Sequence, residues 1–169
     1  PMRPDQLPTP ALVLDRAIMD ANIKAMSEHL GHYSKGFRPH AKTHKCPEIA
    51  KLQLAAGAVG ICAAKVSEAA VMARAGIDSI LITSPISTRH KAQVVNAIVA
   101  EPLTLMLVVD SIEGLAVLQA EIDDDKRIGL LLDLDASTGR TGVRDNELLL
   151  RLLDAMQSDA RFYFAGVQH

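Results

Sequence analysis

Three stretches of this chain, Ile80-Leu-Ile82, Leu103–Val109 and Ile128–Leu132, run apolar almost without a break. A strand with one wet face alternates apolar and polar residues. One that is apolar throughout needs cover on both faces, as in a parallel sheet. Further strand candidates follow an opening stretch at Leu7–Asp15: Phe37–Lys42, Val59–Ala63, Ser79–Thr83, Ile128–Asp135 and Phe162–His169. Between them lie helix candidates with their own punctuation. Asp15 caps one whose Met19, Ile23, Met26 and Leu30 share a face. Pro47 suits the first turn of Pro47–Ala56, and Gly57 ends it. Ser67 caps Glu68–Ala75, ended by Gly76, and Ser87 or Thr88 opens the next, through Val99. Ser111 and Asp145 open the last two. Strand–helix alternation means a parallel sheet, either doubly wound or closed as a barrel.

Length bears on that choice. A closed (β/α)8 barrel takes about 250 residues, and this chain has 169, with about six strands after the opening one. It stops inside the last strand, at Gly166-Val-Gln-His169. The expectation is the front part of a longer protein; a smaller open α/β sheet is the alternative.

Composition excludes several classes. A formal charge of −2 gives no dominant basic face for nucleic acid or an anionic membrane. Aromatic content of 3%, without Trp, argues against a base-stacking platform. No apolar run approaches the roughly 20 residues of a membrane span. Pro1-Met2-Arg3-Pro4 lacks the features of a signal peptide, so a cytoplasmic address is expected. Cys46 and Cys62 cannot build a disulfide framework; they read as half-buried thiols, with a catalytic thiol at Cys46 as the alternative. No Cys/His spacing suggests a zinc site.

The chemistry concentrates in Phe37-Arg-Pro-His-Ala-Lys-Thr-His-Lys-Cys-Pro-Glu48. Period-two alternation puts Arg38, His40 and Lys42 on one face, and burying three bases without anionic partners is costly. Barrel active sites form at the C-terminal strand ends, where Lys42 falls. A lysine desolvated there, beside other cations, could form a Schiff base with a carbonyl. The competing reading is an exposed loop of solvated charges.

The run Arg38-Pro-His-Ala-Lys42-Thr-His-Lys-Cys-Pro-Glu-Ile-Ala50 closely resembles the cofactor-lysine motif of the D-threonine aldolase and D-serine dehydratase family, relatives of alanine racemase. Thr9–Asp15, Gly60–Ala69, Ala75–Leu81, Leu132–Val143 and Phe164–Gln168 match in family order. The resemblance implies a TIM-type (β/α)8 barrel of the alanine racemase N-terminal kind. Residues 1–169 would be the N-terminal part of its pyridoxal-phosphate-binding domain, with the remaining strands and a C-terminal β domain outside this chain. It implies that Lys42, rather than Lys45, carries pyridoxal 5'-phosphate. His40 would line the barrel beneath the cofactor, or be an interior histidine, and His44 would stand near the entrance.

Arg140 would lie against the cofactor's phenolic oxygen, a task suited to a permanently charged fork of donors. Asp133 and Asp135 read as interior packing or loop capping. Ala136-Ser137 stand where the family often has a glycine, which makes the loop's geometry harder to carry over. His169 would pack against the pyridine ring, although a one-residue shift of register turns it away. The family's phosphate loops, its divalent metal ligands (for Mn, Mg or Zn) and the group facing the pyridine nitrogen lie downstream, so no residue here is assigned to a metal.

The implied reaction is cleavage of a D-3-hydroxy amino acid to glycine and an aldehyde. Lys45–Ala50 and Lys65–Ala69 look more like the aldolases. A D-serine dehydratase on the same scaffold is the alternative, followed by a non-enzymatic pyridoxal-phosphate carrier and by a Schiff-base barrel without pyridoxal. Relatives are commonly dimers, so a homodimer is expected.

Overall fold

Asp15 opens the first long helix by accepting the Ile18 N–H at 3.0 Å, and α1 then runs over Arg16–His32. The computed structural model describes residues 3–99 and 102–169; Pro1 and Met2, on which the leader reading turns, lie outside the described residues. After α1 come α2 (Pro47–Ala55), β1 (Ile61–Ala63), α3 (Val66–Arg74), β2 (Ser79–Ile82) and α4 (Arg89–Ile98). The chain continues through β3 (Thr104–Val109), α5 (Ile112–Glu121), β4 (Ile128–Asp133), α6 (Asn146–Gln157) and β5 (Phe162–Gln168).

The expected punctuation is largely present. Pro47 occupies the first turn of α2, and Gly57 and Gly76 follow α2 and α3 at φ +100° and +84°, where a side chain would be strained. Ser111 and Asp145 cap α5 and α6 by accepting Gly114 N–H at 3.2 Å and Leu148 N–H at 3.0 Å. Ser67 is not a cap: α3 starts one residue earlier, and its N-cap is Lys65.

All strand pairs are parallel, in the order β1-β2-β3-β4-β5. Ile61, Ile80, Ile82, Leu105, Leu107 and Leu130 point to one face and join a buried cluster with Met72, Val95, Leu115, Leu118 and Leu152 from the helices. Removing such a side chain to alanine costs about 2–5 kcal/mol. The opposite face carries Cys62, Met106 and Leu131, which are half-buried, beside Leu81 and Val108, which are buried but lie outside that cluster. Sequential strand order with the helix-packed core on one face is the winding of a barrel wall. A doubly wound sheet places helices on both faces.

Two strand expectations are corrected. Leu7–Asp15 forms no strand: Pro8 and Pro10 have no N–H to donate, and Leu12, Val13 and Leu14 are exposed. Phe37–Lys42 is not a regular strand, so the sheet has five strands, not six. The segment runs beside β1 through one bridge, His40 to Cys62. Around it Val59 N–H donates to Phe37 O (2.7 Å), Cys62 N–H to Pro39 O and Ala41 N–H to Cys62 O (both 2.8 Å). Pro39 interrupts the ladder as a non-donor. Residues 41–44 then turn, closed by Lys45 N–H on Ala41 O at 2.7 Å.

Candidate active site

Parallel strands deliver their C-terminal ends to one rim, and the chemistry-bearing residues gather there in two groups. The first follows from the Phe37–Ala41 segment. Arg38 and His40 point away from the helices and are half-buried, and Lys42 stands exposed in the turn beyond. The expectation of three bases on one buried face therefore holds for the first two only.

Arg38 crosses β1 beneath the rim. Its guanidinium donates to Ser79 Oγ at 3.1 Å, Ser79 O at 3.3 Å and Val59 O at 3.3 Å. Gly60 makes room for it, since a Cβ there would lie 1.9 Å from Nη1. His40 Nε2 lies 3.1 Å from Thr83 Oγ1, and that hydroxyl donates onward to Ala63 O at 3.3 Å. The hydroxyl proton is thus engaged, so Nε2 is the donor toward Thr83. His40 Nδ1 is left as an acceptor and takes Lys42 N–H at 3.3 Å. Both ring nitrogens are matched by a neutral imidazole. Burial lowers the His40 pKa, as does Lys42, while Glu68 pulls it the other way.

The second group lies around a cavity of about 260 Å³ at the ends of β4 and β5, which Asp133, Thr138, Arg140, Thr141, Gln168 and His169 help to line. Asp135 builds the loop that carries Arg140. Its carboxylate accepts Thr138 N–H at 2.8 Å and Gly139 N–H at 3.1 Å and pairs with Arg144, and these contacts hold its pKa low. Gly142, at φ +101°, packs against Asp135, whose N a Cβ would meet at 2.5 Å. Ser137 takes φ +84° without being glycine. Asp135 is thus the loop cap that the sequence suggests.

Asp133 is 3% exposed. Its Oδ1 accepts from Gln168 Nε2 at 3.2 Å, and its Oδ2 is buried with no partner among the described residues.

The structure thus brings Lys42 to His40 and places Arg140 and His169 around one cavity on the same rim. Thr83 and Glu68 were not singled out by the sequence. Thr83 ends an expected strand, yet its meeting with His40 spans 43 positions. Among the described residues, no three His, Cys, Asp or Glu side chains converge as metal ligands.

A model of the family described as alanine racemase, N-terminal domain, matches residues 14–169. The chain belongs to that family. As an alanine racemase N-terminal domain, it is 40% identical over 161 residues to a D-threonine aldolase of Arthrobacter sp., covering 95% of this chain and 42% of the relative. It is 30% identical over 169 residues to a 3-hydroxy-D-aspartate aldolase of Paracoccus denitrificans, covering 99% of this chain and 44% of the relative. The solved D-threonine aldolase of Filomicrobium marinum superposes with a TM-score of 0.89 at 35% identity, covering 96% of this chain and 44% of that one. The domain therefore spans a little over two fifths of the length of these relatives. The likeness supports reading the one-sided parallel sheet as part of a barrel wall.

Proposed function

We propose that this chain is the N-terminal part of a pyridoxal-phosphate-dependent lyase acting on D-3-hydroxy amino acids, with Lys42 as the covalent anchor. The reaction favoured is aldolase cleavage between Cα and Cβ, giving glycine and an aldehyde. The observation that carries the reading is Lys42 on the rim turn beside a neutral imidazole, in a chain 40% identical to a D-threonine aldolase.

The residues present fit the cofactor. Lys42 has no ion-pair partner among the described residues, so its amine is free to be the anchor. The second cavity offers a guanidinium, two threonine hydroxyls and a buried carboxylate oxygen still lacking a donor. Such a buried acceptor is costly until a ligand supplies an N–H or O–H. Lys42 would hold the cofactor, His40 would lie beneath it, Arg140 would face its phenolic oxygen and His169 its ring.

Pyridoxal phosphate, when bound, supplies an electron sink for charge left on Cα. The chain's own residues set the conditions. His40 donates to Thr83 and so places no second positive charge beside Lys42. Arg140 brings a planar fork of donors. Asp135 fixes the loop that presents it.

The partner is a small D-amino acid. A homodimer, a divalent metal held by residues outside this chain and a cytoplasmic address complete the reading. Two half-buried free thiols agree with a reducing compartment, and no helix among the described residues is long and apolar enough to cross a membrane.

The test is borohydride reduction of the full-length protein with pyridoxal phosphate, followed by peptide mass mapping and product analysis on D-threonine and D-serine. Label on Lys42 with glycine as product is expected, and Lys42→Ala should abolish both. A 2-oxo acid with ammonia would move the reading to a D-serine dehydratase. No label, or label only on Lys45, would overturn the site.

A further inference from the structure

The turn that carries Lys42 carries a second primary amine three residues later, and the two differ in what holds them. Lys45 Nζ lies 3.7 Å from Glu68 Oε1, across a cavity of about 300 Å³ that Lys45, Lys65, Ser67, Glu68 and Met72 help to line. Glu68 is the fixed member of the pair. Its side chain is 12% exposed against 64% for Lys45, and its other oxygen accepts Ala64 N–H at 3.0 Å. The carboxylate is thus anchored to the end of β1, and the flexible lysine comes to it. Among the described residues Lys42 has no such partner, and its backbone N–H donates to His40 Nδ1.

We propose that Glu68 selects the reactive lysine, holding the Lys45 side chain in an ion pair with α3 so that Lys42 is the amine that condenses with an aldehyde. The proposal rests on the reading of Lys42 given above. Condensation joins the lysine nitrogen to the aldehyde carbon and releases one water, and it needs the unprotonated amine. A lysine held by a carboxylate must break that pair before its nitrogen can attack. The discrimination comes from α3, through Glu68.

An exposed pair of this kind biases an equilibrium by no more than about fivefold, which fixes the size of the expected effect. Full-length protein is mixed with pyridoxal phosphate, reduced with borohydride, which delivers hydride to the new carbon–nitrogen bond, and mapped by mass. Lys51 on α2 measures non-specific reaction. In the wild type, Lys42 takes the label. In Glu68→Gln, which keeps an acceptor for Ala64 N–H, the share of label on Lys45 rises by about two- to fivefold, with the thermal midpoint close to that of the wild type. If Glu68→Gln does not fold, unsubstituted protein in 1 M salt, where screening acts over about 3 Å, should show the same rise.

Lys45 labelling unchanged in both arms, with Lys42 labelled throughout, overturns the selection while leaving the anchor in place. Label on neither lysine in the wild type removes the anchor and this proposal with it.

Discussion

Gly60 offers the sharpest test of how the Lys42 segment is held. It sits at φ +149°, and a Cβ there would lie 1.9 Å from Arg38 Nη1 and 2.6 Å from Ser79 Oγ. Gly60→Ala must therefore expel the guanidinium from its seat on Ser79 and Val59. Hydrogen bonds from a charged donor contribute about 1.5–3 kcal/mol net, and a half-buried guanidinium belongs at the low end of that range. Backbone that only glycine adopts easily adds about 1–3 kcal/mol. The total is about 2.5–4.5 kcal/mol, or a fall in thermal midpoint of about 5–15 °C for a domain of this size.

Arg38→Met should cost only the clamp, about 1.5 kcal/mol. Since Gly60→Ala already empties that seat, the double variant should cost about 1–1.5 kcal/mol less than the two singles added together. Melting curves of the four full-length proteins decide the matter. Additive losses, or a Gly60→Ala protein that melts with the wild type, would refute the clamp.

Two further outcomes are expected. Ser137→Gly should raise the melting midpoint by a few degrees, because a non-glycine residue at φ +84° carries about 1–2 kcal/mol of strain, partly offset by the freedom glycine adds to the unfolded chain; a lower midpoint would show that the Ser137 side chain holds the loop. Burial lowers the pKa of both His40 and His44, so below about 6.5 the unfolded chain binds more protons than the folded one and stability falls with pH through that window. A series of melts from pH 7.5 to 5.5 measures the slope, which His40→Asn should flatten; an equal slope in the variant would mean that His40 titrates normally.

Local chemistry explains which features could be read from the sequence. Asp15, Ser111 and Asp145 cap helices through bonds spanning three residues, and Gly57 ends one through its own dihedral freedom, so each is written in its neighbourhood. The apolar runs of β2, β3 and β4 report burial directly. What escaped depends on partners far along the chain. Leu7–Asp15 has the residues of a strand, yet prolines and the lack of a paired neighbour leave it extended and exposed. His40 and Lys42 alternate correctly on paper, but the turn at Ala41 takes Lys42 off the strand. Thr83, Glu68 and the burial of Asp133 are products of the assembled sheet. Arg140 was found through its motif, while its sharing of a cavity with His169 required the parallel pairing of β4 and β5.

Because the strands all point one way, this fold keeps its durable and its adjustable residues in separate layers. Ile80, Ile82, Leu105, Leu107 and Leu130 face the helices, where any change of volume opens a cavity or forces a clash. Residues 83–88 and 134–144 occupy the rim, where exposed positions such as Ser87, Thr88 and Ala136 can be exchanged with little disturbance below, while Ile86, Val143 and Gly142 stay committed to the fold. Such a division lets variation act at the rim while tight packing holds the wall. Random substitutions selected only for a folded protein should accumulate at those exposed rim positions and spare the helix-facing strand positions.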